Sequence, residues 1–358
     1  MLADLILLSL SGPSVVYSSP ADGFDTFRIP SLFMTQKGTL LAACEGRASQ
    51  SDQANNSIVL KISTDKGAAW SKMQVLARPN GGSFNNPCIV QAKSGRLIMH
   101  YQEYQSGAHE FQAQPGYEGK NAVLGWQMVS TDEGRTWSKP EQISRQIKFD
   151  FANTIASGPG IGIRLEKGRK KGRLLMPYNH RVGKGWTVYC AYSDDEGRTW
   201  KRGTPLDAPA GVNPNEVQVV ELAEGGILLN ARNQASGALR CVALSHDAGE
   251  TFSRADLDNR LIDPICQASI LRLSWPSKSR PGIIAFTNPN DPKKRQNGTV
   301  RFSFDEGRTW PASQVIEANS FQYSCLAATG PTEAAVLYES VIDNKYQILL
   351  KKFGWQTN

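Results

Sequence analysis

Ser303-Phe-Asp-Glu-Gly-Arg-Thr-Trp310 is one of five octads of a single pattern, S-x-D-x-G-x-T-[WF], which one of them meets with Ala69 in place of the Thr, and its recurrence decides the fold. The others are Ser63-Thr-Asp-Lys-Gly-Ala-Ala-Trp70, Ser130-Thr-Asp-Glu-Gly-Arg-Thr-Trp137, Ser193-Asp-Asp-Glu-Gly-Arg-Thr-Trp200 and Ser245-His-Asp-Ala-Gly-Glu-Thr-Phe252. The Asp accepts from turn N–H groups, the Gly supplies a positive φ, and the closing aromatic wedges the turn against the next layer. Each octad is therefore a hairpin turn. Successive octads start 67, 63, 52 and 58 residues apart, too far for one hairpin and right for a four-stranded blade.

A second repeat precedes each octad: a turn, an apolar strand, then another strand leading into the octad. The first strand of each pair runs Gly38 to Glu45, Gly95 to Gln102, Gly172 to Asn179, Gly225 to Arg232, Pro281 to Asn288 and Thr332 to Glu339. These six units predict an all-β fold, a six-bladed β-propeller. The last residues, Glu45, Gln102, Asn179, Arg232, Asn288 and Glu339, are all polar and are expected to converge on one face near the axis. The sixth unit ends in Tyr346 to Phe353 with no octad after it, so Val15-Val16-Tyr17 is expected to complete that blade and close the ring by pairing the N- and C-terminal strands. Residues 13–358 read as one propeller domain. Residues 1–12 read as a tail or the remnant of a signal peptide, although they lack a basic start and carry Asp4 within the apolar run.

Of the 358 residues 40% are apolar, which excludes disorder, collagen and coiled coil. No run of 18 apolar residues occurs, so no membrane-spanning helix is expected. The net charge of +7 favours an acidic ligand, but no nucleic-acid-binding motif accompanies it, and the run from Lys167 to Arg173 reads as a solvated loop. The six cysteines are scattered with mostly apolar neighbours, which points to buried free thiols rather than zinc or disulfides. Sequons at Asn55 and Asn297 matter only in a glycosylating compartment.

The five octads, taken with Phe27-Arg28-Ile29-Pro30, resemble the sialidase (neuraminidase) family over nearly the whole chain. The octads alone say little about function, because fold does not fix activity. The resemblance implies a retaining exo-α-sialidase acting on terminal sialic acids of glycoconjugates. Such a substrate carries a carboxylate on its anomeric carbon, and planar, permanently charged arginines suit it. The family's three arginines match Arg28, Arg232 in Leu228-Leu-Asn-Ala-Arg232, and Arg295 in Asn288-Pro-Asn-Asp-Pro-Lys-Lys-Arg295. Glu339 matches the residue that orients the first of them.

A carboxylate nucleophile would be repelled by the substrate's own carboxylate, so a neutral phenol with a neighbouring base is better suited. Tyr323 in Phe321-Gln-Tyr-Ser-Cys-Leu326 matches the family nucleophile, and Glu216 in Asn213-Pro-Asn-Glu216 its base. Asp52 matches the acid/base, Arg47 and Glu45 the residues near the 4-hydroxyl, and Asn86 a residue near the N-acyl group. After Asp52 the chain departs from the family pattern with Gln53-Ala-Asn-Asn-Ser57. Met176-Pro-Tyr-Asn-His-Arg181 does not reproduce the tyrosines of the glycerol-chain site. A hydrolase for Kdn or Kdo, or a non-catalytic sialoglycan-binding propeller, are the alternatives. A monomer without metal or organic cofactor is expected, placed outside the cell or in the periplasm by where sialoglycans occur. The stretch from Ser106 to Lys120 is long for a hairpin, and reads either as a specificity loop or as a surface excursion.

Overall fold

In the computed structural model residues 5–9, 12–235 and 237–357 are described, and their strands form six sheets arranged as the blades of a propeller. The remaining residues include part of the 1–12 segment, so the signal-peptide expectation falls partly outside the described chain. Blade 1 consists of Thr26–Met34, Leu40–Arg47, Ser57–Ser63 and Gln74–Ala77, in that order from the axis outward. Blades 4 and 5 repeat this plan regularly, beginning with Pro214–Glu221 and Ser269–Ser274. Antiparallel meanders of this kind need only short turns, and each blade buries both faces against its neighbours.

The octads join the third strand of a blade to the outermost one. In each, the Ser Oγ accepts from the Gly N–H and the Asp carboxylate accepts from the turn, as in Gly134 N to Ser130 Oγ at 3.0 Å and Thr136 N to Asp132 Oδ1 at 2.9 Å. Positive φ falls on two successive residues, for example Glu133 at 63° and Gly134 at 82°, the signature of a primed hairpin turn.

The ring closes as expected. Ser14–Ser18 pairs with the last long strand, Lys345–Thr357, in the register Ser14 to Leu350 and Ser18 to Gln347, and Leu5–Ser9 continues along the same strand. Tyr17 locks this closure to blade 1: its hydroxyl donates to the Ala42 carbonyl at 2.7 Å and its ring lies 5.1 Å from that of Phe27.

The polar-ended strands read from the sequence are the second strands of their blades, and Glu339 accordingly lies within Glu333–Ile342, the second strand of blade 6. The innermost strands precede them and carry prolines such as Pro30, Pro87 and Pro214, tolerated because each lies where the strand breaks register with its neighbour. The basic run differs from a wholly solvated loop: Lys167 to Lys171 are exposed, but Arg173 is buried between Asp194 and Glu250.

Blade 3 departs from the regular plan. Its innermost strand is split into Ala156–Ser157 and Ile163–Arg164, and between them Gly160–Ile161 leaves the blade to pair in parallel with Cys88–Ile89 of blade 2. The segment is buried on the propeller axis. Gln218 Nε2 and Gln267 Nε2 both donate to the Pro159 carbonyl, at 3.0 and 3.2 Å, and Ser31 Oγ donates to the Gly160 carbonyl at 2.7 Å. All six cysteines are buried and unpaired.

Candidate active site

The innermost strands of blades 1, 2 and 4 all lose register where they approach one face of the propeller, between Arg28 and Ser31, Asn85 and Cys88, and Pro214 and Val217. Such bulges re-aim side chains out of the ladder. At the first, Ile29 adopts φ 61°, costly for a β-branched residue. Glu339 compensates it, accepting from Ile29 N at 2.7 Å and from Arg28 Nε at 2.8 Å through the same oxygen. At the second, Asn86 has φ 54° and donates its own N–H to Glu45 Oε1 at 2.8 Å.

These bulges open a pocket of about 290 Å³. Ile29, Arg47, Asp52, Asn86, Glu216, Arg232 and Tyr323 are among its lining residues. A groove of about 660 Å³ between blades 4 and 5 is larger, but it is lined mainly by residues such as Leu228, Val242 and Trp310 and holds none of the expected site residues. The chemistry is concentrated in the smaller space.

Tyr323 stands at its centre, immediately before the innermost strand of blade 6. Its hydroxyl donates to Glu216 Oε1 in a short bond, and Arg232 Nη1 reaches both Glu216 Oε2 at 2.7 Å and the Tyr323 oxygen at 3.0 Å. Arg28 Cζ lies 5.5 Å and Arg295 Cζ 5.6 Å from the centre of the same ring. The three expected arginines thus surround one phenol. Arg295 is held by the Ile265 carbonyl at 2.9 Å, and both it and Arg28 stand beside the pocket rather than among its lining residues. The Arg232 Nε is buried with no acceptor.

Burial raises the Tyr323 phenol well above its ordinary range and the Glu216 charge adds to this, while Arg232 and Arg295 work against both. It is a neutral donor at rest. Burial alone would weaken the charge on Arg28 and Arg232, but Glu339 and Glu216 outweigh it, so both guanidinium pKa values are raised.

Glu45 and Arg47 form a buried pair at 2.6 Å below Asp52. Arg47 Nη1 also holds Asp52 Oδ1 at 2.8 Å, although the Asp52 side chain is 70% exposed. Partial burial would raise the Asp52 pKa, but Arg47 outweighs it and the net shift is downward.

Of the six polar strand ends, Gln102, Asn179 and Arg232 line the pocket, and Glu45 and Glu339 lie fully buried beneath it. Asn288 does not reach it; it bonds Arg301 and the Ile262 carbonyl instead. Among the described residues no group of three or more His, Cys, Asp or Glu side chains is placed to hold a metal ion, and no helix is long and apolar enough to cross a membrane.

From the Ser106 to Lys120 stretch Phe111 and Glu110 reach the pocket, on a short 3₁₀ turn, Glu110–Gln112, and of these Glu110 is not singled out by the sequence. Loop length was the only signal. Burial pushes the Glu110 carboxyl up to about 7, with the Asp52 and Glu216 charges adding to it and Arg181 and Arg232 opposing. The folded chain therefore takes up a proton that the unfolded chain releases between the ordinary value of 4.5 and about 7, and stability falls as pH rises through that window. Glu110→Gln is expected to remove this slope, so that its thermal midpoint, measured from pH 5 to 8, gains on wild type towards the alkaline end. Parallel profiles would show that Glu110 titrates normally.

Residues 38–334 match the model of the BNR repeat-like domain family. A sialidase of Micromonospora viridifaciens is 34% identical over 333 residues, covering 89% of this chain and 50% of the relative. A sialidase of Bacteroides fragilis is 29% identical over 344 residues, covering 90% and 61%. This chain thus spans between half and about three fifths of the length of these curated relatives. Among solved structures, the Hadza microbial sialidase Hz136 superposes with a TM-score of 0.84 at 25% identity, over 96% of this chain and 68% of the other.

Proposed function

We propose, from the premise that this chain belongs to the sialidase family of BNR-repeat propellers, that it is a retaining exo-α-sialidase with Tyr323 as nucleophile. The observation that carries this reading is the Tyr323 hydroxyl donating to Glu216 inside a ring of three arginines.

In this reading Arg28, Arg232 and Arg295 bind the carboxylate of a terminal sialic acid and so place its anomeric carbon over the phenol. Tyr323 attacks that carbon as its proton passes to Glu216, and the bond to the leaving oxygen breaks as Asp52 delivers a proton to it. A tyrosyl glycoside results. Asp52, now a carboxylate, takes a proton from water as the water attacks the same carbon, and the Tyr323 oxygen leaves with the proton held by Glu216. Two inversions give net retention. Arg232, bonded to both Glu216 and the phenol, stabilises the phenolate character that develops during attack and departure. Asp52 must turn from Arg47 to act as an acid, because that ion pair holds it deprotonated. Arg47, released by this turn, is available to the 4-hydroxyl, with Glu45 fixing its guanidinium from below, while Asn86 faces the N-acyl side.

The test follows hydrolysis of α-ketosides of N-acetylneuraminic acid, Kdn and Kdo by NMR. The α-anomer of the free acid is expected first, with the β-anomer appearing only by mutarotation. An initial β-product would exclude retention. A 2,7-anhydro product would show that the glycerol chain replaces water. Binding of a sialic acid carboxylate with no turnover of any of the three would make this a lectin. The preferred ketoside identifies the keto acid.

A further inference from the structure

Asp52 lies on the loop between the second and third strands of blade 1, and its carboxylate is largely exposed. Its main chain, in contrast, is fastened from two sides. Asn56 Nδ2 donates to the Asp52 carbonyl oxygen at 2.7 Å, and Asn85 Nδ2 donates to the same oxygen at 2.8 Å. Asn56 is fully buried and Asn85 nearly so, at 0% and 4% exposure. They come from different blades. Asn56 immediately precedes the third strand of blade 1, and Asn85 lies on the innermost strand of blade 2, at its bulge.

A carbonyl oxygen can only accept, so both carboxamides are fixed in orientation. Asn56 is held further by its own partners: Ala54 N donates to its Oδ1 at 3.2 Å, and its Nδ2 also faces Glu45 Oε2 at 3.3 Å. The two preceding carbonyls, of Gln50 and Ser51, accept from Arg47 Nη1 at 3.4 and 3.2 Å. Three consecutive carbonyls of an exposed loop are thus gripped by buried donors, while the one carboxylate among them is largely exposed and paired with Arg47.

We infer that Asn56 and Asn85 are positioning residues for Asp52. They fix its main chain across the gap between two blades, so the only freedom left to the acid is a side-chain swing between Arg47 and the leaving oxygen. This inference rests on the acid/base role proposed for Asp52. Its physical basis is that proton transfer depends steeply on distance, and a misplacement of roughly 1 Å costs about 10²-fold in rate. Without the two amides the Asp52 carbonyl would turn to water and the loop would sample many conformations.

The experiment uses two ketosides of one sialic acid, one leaving as lactose and one as 4-nitrophenol. An alkoxide departs only with a proton, whereas nitrophenolate needs little help. Asn85→Leu and Asn56→Leu are expected to lower kcat on the lactoside by about 10²-fold and on the aryl ketoside by less than about fivefold, with KM little changed. Damage to the fold would lower both alike. Asp52→Ala serves as the reference and should show the same leaving-group dependence. If it does and neither asparagine variant follows it, the positioning role is wrong and the acid/base assignment stands. If Asp52→Ala lowers both substrates equally, the assignment of Asp52 fails and the positioning role with it. Should Asn56→Leu not fold, Asn85→Leu and the milder Asn85→Ser decide the matter alone.

Discussion

Tyr323→Phe should abolish turnover of α-ketosides, with a loss of about 10³-fold or more in kcat, while a sialic acid carboxylate still binds. The substitution removes one oxygen from a ring that stays in place: Tyr323 is buried among Ile29 and Cys266, and its main chain is fixed by Glu339 N donating to its carbonyl at 2.9 Å. The three arginines keep their other partners, Glu339 for Arg28, Glu216 for Arg232 and the Ile265 carbonyl for Arg295. Ground-state binding therefore survives and bond formation does not. The measurement is kcat with the 4-nitrophenyl ketoside together with calorimetric binding of the free acid. A second readout is mass spectrometry after a fluorinated sialoside is used to trap the glycosyl enzyme: wild type should gain one sugar on the peptide containing Tyr323, and the variant none. Turnover by Tyr323→Phe close to wild type would remove Tyr323 from the chemistry and leave Glu216 as the nearest candidate.

The second large effect concerns stability. Glu339→Leu should lower the free energy of unfolding by about 3–5 kcal/mol, the usual cost of leaving a buried charge without its partner. Glu339 is completely buried and accepts from both Arg28 Nε and Ile29 N. Its loss strands the Arg28 guanidinium and also releases the left-handed Ile29, whose φ of 61° is held by that bond. Glu339→Gln keeps the shape and one acceptor, and should lose clearly less. Equilibrium unfolding in urea measures both variants, and Arg28→Met combined with Glu339→Leu should recover part of the loss because no unpaired charge remains. If Glu339→Leu matched wild type in urea, the pair would contribute nothing to the fold.

What could be read in advance followed from how local each signal is. The octads were legible because the turn is closed by its own Ser, Asp and Gly, within eight residues. The second strands were legible as apolar runs ending in a polar residue. The innermost strands were not, because they carry proline and lose register where they meet the pocket, and both features weaken a strand pattern. The arginine set was identifiable only through family resemblance, since nothing in the spacing of Arg28, Arg232 and Arg295 says that they meet. Asn56, Asn85 and Glu110 act through contacts across blades or from a loop, which no local pattern encodes. Asn288 is the converse case: it shares the pattern of Arg232, but its blade directs it into a hydrogen bond with Arg301.

The segment of blade 3 that crosses to blade 2 also settles the topology of traffic through the molecule. Ala156 is in the pocket wall, and from there the chain passes through Gly158, Pro159 and Gly160 along the axis, all buried, with Gln218 and Gln267 tied to it. The pocket is consequently a well and not a tunnel. In the proposed reading a polymer is therefore not threaded through it; only a chain end is lowered in, and the released unit backs out by the opening it entered. On that reading entry of substrate, access of water and departure of product all share one mouth, and Phe111, which lines the pocket, is placed to act on all three at once.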